Sequence, residues 1–446
     1  MKKSISILLF IVPLIIISQD SLSIKDAIEL GLKNNFDIQL TKKKLSIDSI
    51  FNTWGEAGRY PSVDLNAGQN NSISDQSNNP TSFVNKITSN SLDGGLSLNW
   101  TIFNGFNVRA NKIKLEQLQS QSEGNVTLLI ENTIHGIILS YYQIKLQRDQ
   151  LSLLKNILEL SRKKYLFQKT KNDMGLGVTI DLLQFENGYL QDSSNLILQE
   201  LNYKNSVRNL NLIMGSDIDK QWVFNSNITP PNKFYNLEDL KQKMLSSNSN
   251  IKNQYLNISL IKQDIQIAKS VFYPVLSFNA GGNFNTSRFN ATFSIPGSTT
   301  TTPGEGLASG LNYYGNFTLN FRIFDGGKVR RGIQALKVQE EVNVIEKTQL
   351  EQQLLQELLN TYDSYQTRIK IFEINKRAFQ VAEKNFRIAE LKENSGLINS
   401  FNLRDIEMAY LSAGIALFQS SYNLIESNAT LTKLTGGIIQ EYGSEQ

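Results

Sequence analysis

Apolar residues return every seven positions over long stretches of this chain. Ile130, Ile137, Ile144, Leu151, Leu158 and Tyr165 form one row, and Leu182, Tyr189, Leu196, Tyr203 and Leu210 a second. Leu358, Tyr365, Phe372, Phe379 and Phe386 form a third, and Leu403, Tyr410, Leu417, Leu424 and Leu431 a fourth. Rows of this length point to helices packed along coiled-coil seams rather than to chance spacing in short helices. Proline placement agrees, because residues 81–229 and 304–446 contain none and can hold uninterrupted helices. The pattern predicts helices over 106–172 and 178–214, with a further stretch at about 36–60. It predicts them again over 327–393, 398–435 and 249–272. The longest would run about 100 Å at 1.5 Å per residue.

Other segments alternate with period two. Leu96, Leu98, Trp100 and Ile102 are apolar, while Ser97, Asn99 and Thr101 are polar. Phe317, Leu319, Phe321 and Ile323 repeat the pattern, interleaved with Thr318, Asn320 and Arg322. Shorter versions follow Tyr60-Pro61 (Val63, Leu65, Ala67) and Tyr273-Pro274 (Leu276, Phe278, Ala280). Such strands have one apolar and one polar face, as in a half-buried sheet or a transmembrane barrel. Polar loops join them, including Ser298-Thr299-Thr300-Thr301-Thr302-Pro303-Gly304.

The two kinds of pattern belong to one unit written twice. A shift of 221 residues carries Leu98-Asn99 onto Leu319-Asn320, Gly105 onto Gly326, Gly175-Leu176 onto Gly396-Leu397, Glu186 onto Glu407 and Gly215 onto Gly436. Upstream, Asn35 meets Asn248 and Ile38 meets Ile251 at a shift of 213. The expected organisation is a signal peptide at 1–18, a first repeat at 19–218, a linker at 219–235, a second repeat at 236–437 and a tail at 438–446. Each repeat would hold a strand pair (about 62–103 and 275–324) followed by a helical hairpin (about 106–214 and 327–435). Four strands cannot close a membrane barrel, and open edges are not tolerated in lipid. If they span a membrane, two chains would pool about eight strands and three about twelve, the latter wide enough for a lumen.

Composition narrows the function. Lys2-Lys3 followed by an apolar run from about Ile5 to Ile17 reads as a secretory signal, too short to span as a helix. The chain has no cysteine, which removes disulfides, thiolate metal sites, a cysteine nucleophile and a lipidated N-terminal cysteine. The net charge of +4 gives no reason to propose nucleic acid as a partner. The one histidine, His135, has no second histidine to share a metal or a proton relay. No nucleophile elbow, phosphate-binding glycine loop or zinc motif is present, so neither enzyme chemistry nor a cofactor is expected.

Two motif groups, in register in both copies, carry a resemblance. They are the strand-to-helix joints Ile102-Phe103-Asn104-Gly105 and Ile323-Phe324-Asp325-Gly326-Gly327, and the turns that begin Gly175-Leu176 and Gly396-Leu397. With the signal and the Pro-free heptad helices, the chain resembles the TolC family of outer-membrane efflux proteins over essentially its whole mature length. The resemblance implies an α+β membrane protein, a homotrimer with four strands per chain pooled into a twelve-stranded barrel. A helical periplasmic tunnel would continue it toward an adaptor protein and an inner-membrane transporter. It implies localisation in the outer membrane of a Gram-negative bacterium, surrounded by lipid. It marks Gly175, Leu176, Gly396 and Leu397 as adaptor-facing tips, and Asp181 and Asp405 as acids of a periplasmic gate. At the gate, Asn402 stands where relatives often carry another acid, which implies a less acidic ring. Asn99, Thr101, Asn320 and Arg322 would line the barrel lumen if the apolar faces meet lipid. The competing reading is an exported coiled-coil adaptor or stalk, which would have no use for alternating strands.

Overall fold

The structure, a computed structural model, describes residues 21–79, 81–224, 233–294, 300–395 and 397–443. The signal segment, Gly396, residues 225–232 of the linker and the tip of the long polar loop lie outside these residues. The chain divides into two compact units, one of residues 1–43, 124–252 and 349–446, the other of residues 44–123 and 253–348.

In chain order the elements are β1 (Ser21–Leu22), α1 (Ile24–Asn34), α2 (Phe36–Phe51), β2 (Ser62–Asp75), β3 (Val84–Asn104), α3 (Asn107–Asp173), α4 (Thr179–Met214) and β4 (Val223–Phe224). They continue with α5 (Leu237–Ser247), α6 (Ser249–Ser270), β5 (Val275–Ser294), β6 (Thr301–Asn320), α7 (Lys328–Asn394), α8 (Ser400–Leu434) and α9 (Ile438–Tyr442). Every residue of the four heptad rows is buried or half-buried. None of the described helices is long and apolar enough to cross a membrane.

In the first unit the repeat shows itself as two related cores. Ile137 and Ile144 on α3 pack with Ala27, Ile28, Leu210, Met214 and Phe224. Leu358 and Tyr365 on α7 pack with Leu240, Met244, Ile251, Leu431 and Leu434. The repeated asparagines explain how each short helix pair is fastened. Asn35 Nδ2 donates to the Ile213 carbonyl at 2.8 Å, while its Oδ1 accepts from Ile38 N at 3.0 Å. Asn248 does the same with the Leu434 carbonyl and Ile251 N. One amide thus caps a starting helix and occupies a carbonyl that the ending helix leaves free. Gly215 and Gly436 end α4 and α8 at φ of 65° and 69°. A Cβ on Gly215 would stand 2.4 Å from the Asn34 carbonyl oxygen, and one on Gly436 2.7 Å from that of Ser247. The conformation and the space both require glycine.

The second unit contains an antiparallel sheet in the order β2-β3-β5-β6, so β3 and β5 join the two copies. The strands are longer than their apolar alternation predicts, because each continues as a polar ladder beyond it. The register lines up apolar residues across all four strands. Leu276 faces Leu319; Phe278 faces Phe317 and Trp100; Ala280 faces Gly315 and Leu98, and Leu98 faces Val63. Gly282 and Leu96 then join Tyr313 and Leu65, and Phe284 meets Leu311. Strands β2 and β6 each leave one edge unpaired in the sheet.

Two expectations are corrected here. The helix expected over 36–60 ends at Phe51, and Asn52–Tyr60 turn back through bonds such as Arg59 N to the Trp54 carbonyl. Strand β6 ends at Asn320, so Arg322 and Ile323 lie beyond it. The β5–β6 ladder starts at Val275, directly after Pro274, which has no N–H to extend it.

Candidate functional site

Each helical hairpin turns through the same hydrogen-bonded cap. Leu176 N donates to the Lys171 carbonyl at 3.0 Å, and Leu397 N to that of Lys392 at 2.8 Å. Gly175 N closes the inner bond to Asn172, with Gly175 at φ of 73°. In the first copy this is a Schellman arrangement, and the second copy shows its outer bond. Leu176 and Leu397 are exposed, as are Met174, Val178 and Ile180 beside them. The turns therefore present apolar side chains to solvent. Gly396, the remaining tip position, lies outside the described residues.

The three expected gate residues occupy unlike positions. Asp181 is half-buried in the first turn of α4, where its charge complements the helix dipole. Asn402 is exposed, and its backbone N–H donates to the Asn399 side chain that caps α8. Asp405 is exposed one turn further on. Among the described residues neither carboxylate takes a hydrogen bond or an ion pair, so both are available to solvent or to another chain. Phe185 and Phe401 stack at 5.6 Å and join α4 to α8 just beyond these residues.

Behind that stack lies a charge cluster absent from the sequence expectations. Arg404 on α8 donates from both terminal guanidinium nitrogens to the two Asp192 oxygens on α4, at 2.7 Å each. Ser161 on α3 also donates to Asp192 and accepts from Arg404 at 3.1 Å. Glu407 lies 3.4 Å from both Arg404 and Lys164. Asp192 is 1% exposed and Glu407 0%. Burial pushes the Glu407 carboxyl above the ordinary glutamate range, against the pull of Lys164 and Arg404. The repeat does not provide this cluster twice. Under the 221-residue shift, Ser161, Lys164 and Asp192 meet Ala382, Asn385 and Ala413, and Arg404 meets Leu183. Only Glu407 meets a charged counterpart, Glu186. That loss of periodicity at charged positions is the signal by which sequence reading could have found the cluster.

His135 faces Thr430 across α3 and α8, Nε2 to Oγ1 at 3.2 Å, beside a cleft also lined by Glu357, Arg368 and Glu426. Burial, helped by Lys433, lowers its pKa from 6.5 to about 4. The folded chain therefore stays neutral there, while the unfolded chain takes up a proton below pH 6.5. Stability is fully present above pH 6.5 and falls as pH drops toward 4, by up to about 3 kcal/mol at 1.36 kcal/mol per pH unit. Thermal melts of the wild type and of His135→Gln at pH 7 and 4.5 measure this. The variant should lose less stability on acidification.

Three of the four expected lumen residues, Asn99, Thr101 and Asn320, fall on the sheet's polar face. Asn99 pairs with Ser62 and Asn279, and Thr101 with Ser277. Asn320 is the last residue of the ladder, opposite Val275. Arg322 is not on this face, because the strand has ended.

Comparison with curated proteins gives no match to this chain. Among solved structures, the CmeC outer membrane channel of Campylobacter jejuni matches with a TM-score of 0.75 at 17% identity, covering 93% of this chain and 85% of that one. VceC of Vibrio cholerae gives 0.70 at 15%, covering 93% and 96%. The open state of the MtrE channel of Neisseria gonorrhoeae gives 0.67 at 14%, covering 95% and 91%. The sequence pattern of outer membrane efflux proteins matches residues 28–216 and again 240–437, once on each copy. These paired matches account for most of the sequence, and the chain belongs to the outer membrane efflux protein family.

Proposed function

We propose that three copies of this chain pool their sheets into a barrel of about twelve strands, and that the barrel and a helical tunnel form a passive exit duct. The observation that carries this reading is the sheet itself, apolar over five cross-strand rows on one face and unpaired at β2 and β6. Five rows at two residues each make roughly ten residues per strand, about the 9–11 that a tilted transmembrane strand needs. Lipid would cover the apolar face, and the edges must pair because bare backbone is not tolerated there. The polar face, with Asn99, Thr101 and Asn320, would then line the lumen. A stalk would leave that apolar face in water. The test is extraction and mass: the duct stays with membranes through carbonate washing and runs in detergent as a trimer, whereas a stable monomer or a washable protein overturns it.

At the other end, the exposed apolar turns around Leu176 and Leu397 would meet a periplasmic adaptor, which in turn engages an inner-membrane pump. Asp181 and Asp405 would act as the gate. Three copies bring several unpaired carboxylates around one axis, where each raises the negative potential felt by the rest. Asn402 keeps hydrogen-bonding capacity without charge. Replacing both acids with alanine should raise single-channel conductance in planar bilayers or weaken block by multivalent cations. Wild-type conductance and block in the double variant would place the constriction elsewhere.

A further inference from the structure

Two exposed apolar rows remain in the first unit after its cores are assembled. On α4, Leu183, Leu190 and Ile197 recur every seventh residue; on α7, Ile374, Val381 and Ile388 do the same. All six are between 54% and 65% exposed, although the heptad rows beside them are covered. Each row carries charge of a single sign on its own face: Glu186 between Leu183 and Leu190, and Arg377 and Lys384 at the equivalent places of the α7 row. None of the three makes an ion pair among the described residues.

The rows match in depth as well as in spacing. Leu183 follows Gly175 by the same count as Ile388 precedes Gly396. The two hairpins of one chain stand level, because Lys164 precedes Gly175 by the same count as its partner Glu407 follows Gly396. Copies related by rotation about an axis along the helices also stand level with one another. In that arrangement Leu183 meets Ile388, Leu190 meets Val381, and Ile197 meets Ile374, with Glu186 beside Lys384. The wider charge pattern agrees. Residues 179–203 contain acids but no Lys or Arg, whereas α7 is net basic over the facing stretch, with Lys370, Lys376, Arg377, Lys384 and Arg387 against Glu373, Glu383 and Glu390.

We infer that the α4 row of one protomer packs against the α7 row of the next, as an antiparallel seam in this register. The two surfaces differ, so the contact is head-to-tail and closes as a ring. It seals the helical wall with apolar seams, as the pairing of β2 with β6 of a neighbour closes the sheet. The occupant is a second copy rather than an adaptor, because the rows complement each other in spacing, depth and charge. This inference rests on the trimeric reading above.

The chain has no cysteine, so engineered pairs report cleanly. In full-length protein purified in detergent, Leu190→Cys with Val381→Cys should give covalently linked trimers under mild oxidation. The mis-registered pair, Leu190→Cys with Ile388→Cys, should link several-fold less. Glu186→Lys should lower trimer yield severalfold, and adding Lys384→Glu should restore it. Trimers that link equally or better through the mis-registered pair overturn the register. Trimers whose Leu190→Cys thiol reacts freely with a bulky maleimide overturn the seam and leave that face for an adaptor. A wild-type chain that runs as a monomer overturns the trimeric reading itself.

Discussion

Replacing Arg404 with leucine is expected to cost about 3–5 kcal/mol, because it leaves the Asp192 carboxylate buried with only the Ser161 hydroxyl donating to it. Leucine is the residue that the first copy carries at the same place, Leu183, so the side chain suits a helix of this kind. The cost therefore arises from the stranded charge. Adding Asp192→Ala, which copies Ala413, removes that charge and should recover most of the loss, less a cavity term. The pair of variants forms half of a double-mutant cycle, read as thermal midpoints by helical circular dichroism. A single variant as stable as the wild type would mean that the cluster is hydrated and contributes little. Buried ion pairs add little net stability over apolar packing, so this one is better understood as fixing which helices meet. It ties α3, α4 and α8 together and, among the described residues, takes no hydrogen bond or ion pair from α7.

Leu98→Arg is the second large effect. Leu98 sits in the central apolar row, between Val63 and Ala280. Arginine at the bilayer midplane of a barrel costs about 2–4 kcal/mol, and in a trimer the cost falls on all three copies. The yield of membrane-extracted trimer should drop sharply. Leu319 occupies the equivalent place in the repeat but lies in the last apolar row, one residue from the strand end. Its arginine variant can reach the interface and should cost about 0–1 kcal/mol. Equal losses for the two variants would mean that the apolar rows do not set depth in the membrane.

The heptad rows made the helices legible, since long amphipathic seams leave a strong periodic trace. Their finer packing was less visible. Leu158 belongs to a row but is only half-buried, while its neighbour Ile157 is 2% exposed, because a 3.6-residue helix drifts away from a strict seven-residue count. The strands were found only where they alternate apolar and polar. Their polar extensions, such as Ser62–Asp75 beyond Ala67, carry no such contrast. Arg322 was placed on β6 by parity alone, which takes no account of where the partner strand begins. The charge cluster depends on three helices distant in sequence, so no local pattern announced it. Asp181, Asn402 and Asp405 were legible only by resemblance, and among the described residues no hydrogen bond or ion pair joins their side chains within one chain.

The order of strands in the sheet also sets a timetable for export. The β3–β5 ladder pairs Val84 with Phe293 and Asn104 with Val275, so its partners leave the translocation machinery far apart in time. Until β5 arrives, the first copy can offer only the β2–β3 hairpin, and an isolated hairpin is marginal in water. The long helix α3 has no such wait, because its hydrogen bonds are all local. A nascent chain thus carries formed helix and unformed sheet for much of its synthesis, with apolar strand residues such as Leu96 and Leu98 uncovered. Until β5 and β6 emerge, that uncovered apolar surface and the unpaired strand edge are open to association with other chains.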